Sequence, residues 1–205
     1  MNAKPFAPAT ERNSRPVLAV LRQEFAHASL ILEIGSGTGQ HAVYFAANMP
    51  RLVWQTSDLT ENHAGIQAWL NDARSPNVLA PLELDVLVND HPAQTYDGVF
   101  SANTAHIMSL EAVNRMFSLV GDVLEVGGLF VLYGPFRQKG EFNTASNAEF
   151  HRSLQQRDPE MGIRHIEALD EIAARAGLQR QRYYAMPANN QIAVWRKEGL
   201  NDDNA

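Results

Sequence analysis

The chain has 205 residues, 45% of them hydrophobic and 20% charged, a composition that suits one globular domain and is too apolar for a disordered segment. With 17 Lys and Arg against 23 Asp and Glu, the net charge is −6 without a basic run, which disfavours nucleic acid as the main partner. Cysteine is absent, which excludes disulfides, thiolate metal sites and a cysteine nucleophile. No apolar run approaches the ~20 residues of a membrane span, and "MNAKPFAPATERN" lacks the apolar centre of a signal peptide, so a cytoplasmic protein is expected.

Helix and strand signals alternate along the chain. In "SRPVLAVLRQEFAH", Ser14 is the expected N-cap, Pro16 falls in the first turn, and Val17, Leu21 and Phe25 repeat every fourth residue, which predicts an amphipathic helix. "SLILEI" reads as a strand, "QHAVYFAANMP" as a helix stopped by Pro50, "RLVWQTSD" as a strand and "ENHAGIQAWLNDA" as a helix. "VLAPLELDV" and "YDGVFSAN" are the next strands. "SLEAVNRMFSLVGDVLEVGG" puts Val113, Phe117, Val120 and Leu124 on one helical face, with Gly127 and Gly128 as the expected stop. "LFVLYGPF" is apolar enough for a strand buried on both faces. "LDEIAARAG" predicts a last helix capped at Gly177. Residues 178–196 then hold two β-rich runs joined by "PANN", too tight a link for anything but an antiparallel hairpin, with Trp195 facing inward.

These elements predict an α/β fold with a doubly wound, Rossmann-like, mostly parallel seven-stranded sheet ending in a C-terminal antiparallel hairpin. One domain is expected over 1–205: an N-terminal lid and helix at 1–28, a sheet core at 29–196 and a tail at 197–205.

In such a sheet, ligands bind at the carboxyl ends of the strands, where strand order reverses. Polar residues collect there: Glu33, Gly35, Gly37 and Gly39 after the first strand, Asp58 after the second, Asp85 after the third, Asn103 and His106 after the fourth, Tyr133 after the fifth. Glycine at alternate positions lets a backbone pass close to a ligand. Asp58 follows Gly39 at close to the ~20-residue spacing of a ribose-binding acid in dinucleotide folds, although the same residue type also caps helices. Gln40 stands where the third glycine of a pyrophosphate-binding fingerprint belongs, and Glu33 beside the loop repels a pyrophosphate while favouring a cation.

Glu33-x-Gly35-x-Gly37-x-Gly39 resembles motif I of the class I S-adenosylmethionine-dependent methyltransferases. Asp58, Asp85 in "LELDV" and the terminal hairpin extend that resemblance over about residues 29–196. "PFAPATERNSRPVLAVL", "SANTAHI", "LYGPF" and "DPEMGIRH" further resemble one small uncharacterised methyltransferase-like family. The resemblance implies S-adenosylmethionine as cofactor and S-adenosylhomocysteine as product. Glu33, Gly35, Gly37 and Gly39 would hold the amino-acid end, Asp58 the ribose and Asp85 the adenine amino group, with Asn103 beside them. The fourth strand ends in Asn103-Thr104-Ala105-His106, without the Pro-Pro-aromatic run typical of enzymes that methylate exocyclic base nitrogens or glutamine amides.

The expected activity is methyl transfer to a small molecule. Asn103 would orient the acceptor, His106 would take its proton and Tyr133 would shape the pocket; the other reading of His106 is a buried histidine bonded to a backbone carbonyl. His41 is read as solvated or cofactor-side. Arg12 and Asn13, with Phe136 and with Arg137 and Asn143 of the polar stretch "RQKGEFNTASN" that follows it, would bind a small polar or anionic substrate, unless that loop is an ordinary connection. No metal is expected, and the oligomeric state is left open. Two rival functions remain: a cofactor-binding protein without turnover, and a nicotinamide-dependent oxidoreductase, which Glu33 and Gln40 argue against.

Overall fold

The computed structural model describes residues 4–88 and 92–199; the first three residues of the expected lid and residues 200–205 of the expected tail lie outside them. In chain order the elements are α1 (Pro8–Glu24), β1 (Leu30–Ile34), α2 (Gln40–Asn48), β2 (Val53–Asp58), α3 (Thr60–Ala73), β3 (Val78–Glu83), β4 (Tyr96–Ala102), α4 (Leu110–Val123), β5 (Leu124–Gly134), β6 (Phe136–Arg137), α5 (Ala145–Arg157), β7 (Arg164–His165), α6 (Ile166–Arg175), β8 (Leu178–Ala185) and β9 (Gln191–Lys197).

The main sheet has seven strands in the order β3-β2-β1-β4-β5-β9-β8. The first five are parallel, while β9 runs antiparallel to both β5 and β8, so the doubly wound sheet and its closing hairpin stand as expected. Strand order reverses between β1 and β4, which opens the crevice at their carboxyl ends. Apolar side chains on both faces of the central strands need cover on both sides. Val17, Leu21 and Phe45 of α1 and α2 pack with Trp54, Phe100 and Val131 on one face. Val113, Phe117, Leu169 and Ile172 of α4 and α6 pack with Leu32, Phe130 and Trp195 on the other. Trp195 is fully buried, stacks on Phe130, meets Phe117 edge to face, and donates its indole N–H to Asp170 at 2.9 Å.

Three local expectations are corrected. The first helix begins at Pro8 rather than Ser14, whose hydroxyl donates within the helix to the Thr10 carbonyl at 2.6 Å. Pro8 and Pro16 compete for the first-turn position; Pro8 fills it, and Pro16 sits in the interior. An interior proline costs ~3 kcal/mol, which the burial of Val17, Leu18, Leu21 and Phe25 at ~1.5–3 kcal/mol each offsets.

Gly127 and Gly128 do not end α4, because β5 begins directly after Val123. They lie where the β4–β5 register slips between Tyr96↔Leu124 and Gly98↔Leu129, and a Cβ at Gly128 would come within 2.9 Å of two carbonyl oxygens.

The polar loop after Pro135 is also more ordered than its composition suggests. It supplies β6 and the start of α5, where Thr144 Oγ1 caps by accepting from the Asn147 N–H. The weak apolar periodicity of α5, with Leu154 its one buried aliphatic residue, leaves little helical signal.

Candidate functional site

The chain leaves β1 through a turn in which Gly35, Gly37 and Gly39 all have positive φ, at 73°, 57° and 86°. Their lack of a Cβ serves different contacts. At Gly35 a Cβ would stand 2.6 Å from Thr104 Cγ2, and at Gly39 3.0 Å from the Ile66 backbone of α3, so these two positions permit protein packing. At Gly37 nothing lies within 4 Å, and the loop is open to the crevice. The loop is pinned to β2: Gly35 and Ser36 N–H both donate to the Ser57 carbonyl, and Gly37 N–H donates to Asp58 Oδ2 at 2.6 Å. Asp58 Oδ1 meanwhile accepts from Leu59 N–H and Asn62 Nδ2 at the start of α3, so one carboxylate orders both the glycine loop and a helix entry. Asp85 lies just past β3, half-buried, with Oδ1 accepting from the Leu87 N–H.

Glu33 is 1% exposed, and its Oε2 accepts from Ser36 Oγ at 2.9 Å and Trp54 Nε1 at 3.0 Å. Burial pushes its carboxyl up to about 7; the two hydrogen bonds oppose this and the charge of Asp58 adds to it. A carboxylate so placed is easier to ionise when a cation arrives.

Residues before α1 form a strap across α3 to the first residue of α2. Ala7 N–H donates to Gln40 Oε1 at 2.5 Å, the Pro5 carbonyl accepts from Trp69 Nε1 at 2.6 Å, and Lys4 Nζ lies 3.8 Å above the Trp69 ring and pairs with Asp72.

A cavity of about 780 Å³ opens at the ends of β4 and β5, walled by Arg12, Asn13, Asn103, His106, Tyr133 and Asn147 among others. Asn103 adopts the left-handed conformation at φ 60°, and its N–H donates to the Tyr133 carbonyl, which fixes the turn out of β4. Burial keeps the Tyr133 phenol above its ordinary pKa, opposed by the nearby side chains of Asn13 and Asn190. Asn13 Oδ1 in turn meets His41 Nε2 at 2.7 Å. His41 is therefore not solvated: it is buried, stacks on Phe45 at 4.9 Å, and burial pushes its pKa down to about 4.

His106 is 7% exposed and sits edge-on to Phe150 at 5.4 Å. Its Nδ1 lies 3.6 Å from where a Cβ on Gly134 would stand, at the end of β5. Burial, with the charge of Arg164 second, pushes its pKa down to about 4, which leaves a neutral imidazole at the cavity wall.

The family described as "Protein of unknown function (DUF938)" matches residues 4–197. The chain belongs to this family. Among solved structures, an O-methyltransferase family protein from Burkholderia thailandensis superposes with a TM-score of 0.81 at 15% identity, over 94% of this chain and 58% of that one. Mitomycin 7-O-methyltransferase gives 0.81 at 15%, over 92% and 54%, and human N-acetylserotonin methyltransferase in complex with SAM gives 0.80 at 14%, over 93% and 53%. The DUF938 chain thus has the Rossmann-like methyltransferase fold and spans a little over half the length of these three proteins.

Within this DUF938 chain, three of the residues expected to bind substrate stand elsewhere. Phe136 is a core residue, 2% exposed, whose N–H donates to Gln191 Oε1. Arg137 lines a different cavity, because β6 pairs with β7 and carries it away from β4. Asn143 stands behind the wall: its Oδ1 accepts from Asn147 Nδ2 at 2.7 Å and its Nδ2 donates to the Asn189 carbonyl. Arg12 and Asn13 do line the main cavity. Asn190 of "PANN" joins it because Ala188 and Asn189 turn with positive φ at the tip of the β8–β9 hairpin; turn composition announced the bend and not its reach. Among the described residues, no group of His, Asp and Glu could hold a metal ion, and no helix is long and apolar enough to cross a membrane.

Proposed function

We propose that this chain binds S-adenosylmethionine in the crevice between β1, β2 and β4 and transfers a methyl group to a small molecule in the adjoining 780 Å³ cavity. The observation that carries the reading is Gly37. Its positive φ, its hydrogen bond to Asp58 and the open space where a Cβ would be make a cradle beside two acids, Glu33 and Asp58. The complex with SAM formed by a protein of the same fold supports it.

Glu33 would balance the positive charge of the ligand, Asp58 would bond the ribose hydroxyls, and Asp85 would meet the adenine edge. The bound cofactor supplies an electrophilic methyl on a good leaving group, so positioning can account for most of the rate. Asn103 and Tyr133 orient the acceptor, Arg12 and Asn13 hold its polar part, and His106 takes the proton released when an O–H or N–H acceptor is methylated. The strap from Lys4 to Ala7 excludes water from the crevice. A small-molecule acceptor also agrees with the acidic balance of the chain, which disfavours nucleic acid as a substrate.

Calorimetry with S-adenosylmethionine, S-adenosylhomocysteine and NAD(P) tests the cofactor: heat with the first two and none with the third is expected, and the reverse overturns the reading. Labelled S-adenosylmethionine incubated with metabolite extracts then tests turnover and captures the product. Binding without label transfer to any acceptor would make the protein a cofactor binder.

A further inference from the structure

Behind the wall that carries His106 lies a smaller cavity, about 270 Å³, between α5, the β6–β7 pair and α6. Arg137, His151, Arg164 and His165 line it, and Glu160 is the one lining residue with a carboxylate. Arg137 stands beside His165 in the parallel β6–β7 pairing, and its guanidinium lies 4.8 Å over the Phe142 ring. Its Nε is buried without a hydrogen-bond partner, and it makes no ion pair among the described residues.

Arg164 is bonded, but to neutral groups. Its Nε donates to the Ala105 carbonyl at 3.0 Å, and an Nη donates to the carbonyls of Glu160 and Met108. Those bonds fix the guanidinium without neutralising it, and Glu160 supplies the one facing negative charge. His151 Nδ1 accepts from the Ile163 N–H at 3.1 Å, so a neutral ring carries its proton on Nε2. Burial and then the charges of Arg137, Arg164 and His165 hold His151 below its ordinary pKa. Two guanidiniums and two imidazoles thus share a partly enclosed space with the lining carboxylate of Glu160, while Glu167 lies close enough to His165 to interact with it.

We propose that this cavity binds a phosphate group, with Arg137 as its main ligand and Arg164 and His151 completing the site. The two Nη groups of Arg137 are claimed by no carboxylate among the described residues and form a donor pair that matches a tetrahedral oxyanion, and the cavity holds a group of that size. The bound charge would neutralise the cluster and, through Arg164, relieve the repulsion felt by His106 in the neighbouring wall. The site does not depend on the methyl-transfer reading, since its test measures binding alone.

The experiment is titration of the full chain with inorganic phosphate at constant ionic strength, followed by calorimetry and thermal unfolding, with sodium chloride as control. Saturable one-site binding and a rise in Tm beyond the chloride control are expected. NMR titration should show the pKa of His151 moving up on saturation, a readout that needs no variant. Arg137→Gln removes a side chain that makes no ion pair among the described residues, so the fold should persist while phosphate affinity falls at least tenfold; Arg137→Lys, which keeps the charge, should fall between. Phenyl phosphate distinguishes the source: binding of both compounds marks a site open to phosphate esters, and binding of inorganic phosphate alone marks a free-anion site, either result upholding the proposal. Absence of saturable heat with a Tm change equal to that in chloride, or unchanged affinity in Arg137→Gln, overturns it.

Discussion

The N–H of Gly37 donates to Asp58 Oδ2 at 2.6 Å, so the glycine loop and the second strand end are set against each other by a charge-assisted hydrogen bond. A side chain at Gly37 would enter the open crevice and would also strain a residue at φ 57°. Gly37→Val should therefore lower S-adenosylmethionine affinity more than 100-fold. Gly37→Ala, with the strain and a smaller group, should cost ~1–2 kcal/mol of stability and about tenfold in affinity. Calorimetry and thermal unfolding separate the two effects, and valine binding as tightly as glycine would remove the loop from the site.

Glu33 should trade stability for binding. Its carboxyl titrates near 7 folded and near 4.5 unfolded, so between those values the unfolded chain has released a proton that the folded chain retains. This contribution is complete below about pH 4.5 and is lost as pH rises through 7, where ionisation costs of the order of 3 kcal/mol. Glu33→Gln should thus be more stable than the parent at pH 8 and similar at pH 4.5, yet bind S-adenosylmethionine at least tenfold more weakly. A variant that loses stability at pH 8 would contradict the assignment.

The buried histidines act with the opposite sign. His41 and His106 titrate near 4 folded against 6.5 unfolded, so acidification from 6.5 towards 4 protonates the unfolded chain first and removes stability. Together with Glu33, these groups place maximal thermal stability near pH 6.5, declining on both sides. A profile of Tm against pH checks this, and His41→Asn should flatten the acid side.

Turnover provides a separate test of His106. If its neutral ring takes the acceptor's proton, activity should fall with acid through about 4 instead of through 6.5. His106→Ala should keep cofactor affinity within threefold, about 0.7 kcal/mol, and lower turnover by ~10²–10⁴. Loss of cofactor affinity and stability in parallel, with turnover falling only in proportion to folded protein, would instead identify a structural residue.

The strap before α1 should govern cofactor exchange. Trp69→Ala removes the partner of the Pro5 carbonyl and the ring under Lys4, two of the contacts that hold the strap on α3. Faster dissociation of S-adenosylmethionine and earlier proteolytic cutting before residue 10 are expected, measured by stopped-flow and limited digestion. Unchanged dissociation would show that the strap does not cover the crevice.

The parallel sheet, its hairpin and the positions of Glu33, Gly37, Asp58 and Asn103 at strand ends could be read from the sequence because they depend on local pattern: apolar runs of strand length, turns between them, and a topology that brings strand ends together. Decisions between locally equivalent choices belonged to the tertiary structure. Pro8 and Pro16 both suit a helix start, and the contacts of Ala7 with Gln40 and of Asn13 with His41 hold the chain in the earlier one. Gly35, Gly37 and Gly39 look alike in sequence, and only the positions of Thr104 and Ile66 show that two serve packing while one faces open space. Phe136 and Arg137 are neighbours in an apparently single polar loop, yet the two-residue pairing of β6 with β7 leaves one in the core and the other in a second cavity. Neighbours in the chain share a backbone direction, but the long-range contacts that decide what each side chain meets are absent from any local pattern.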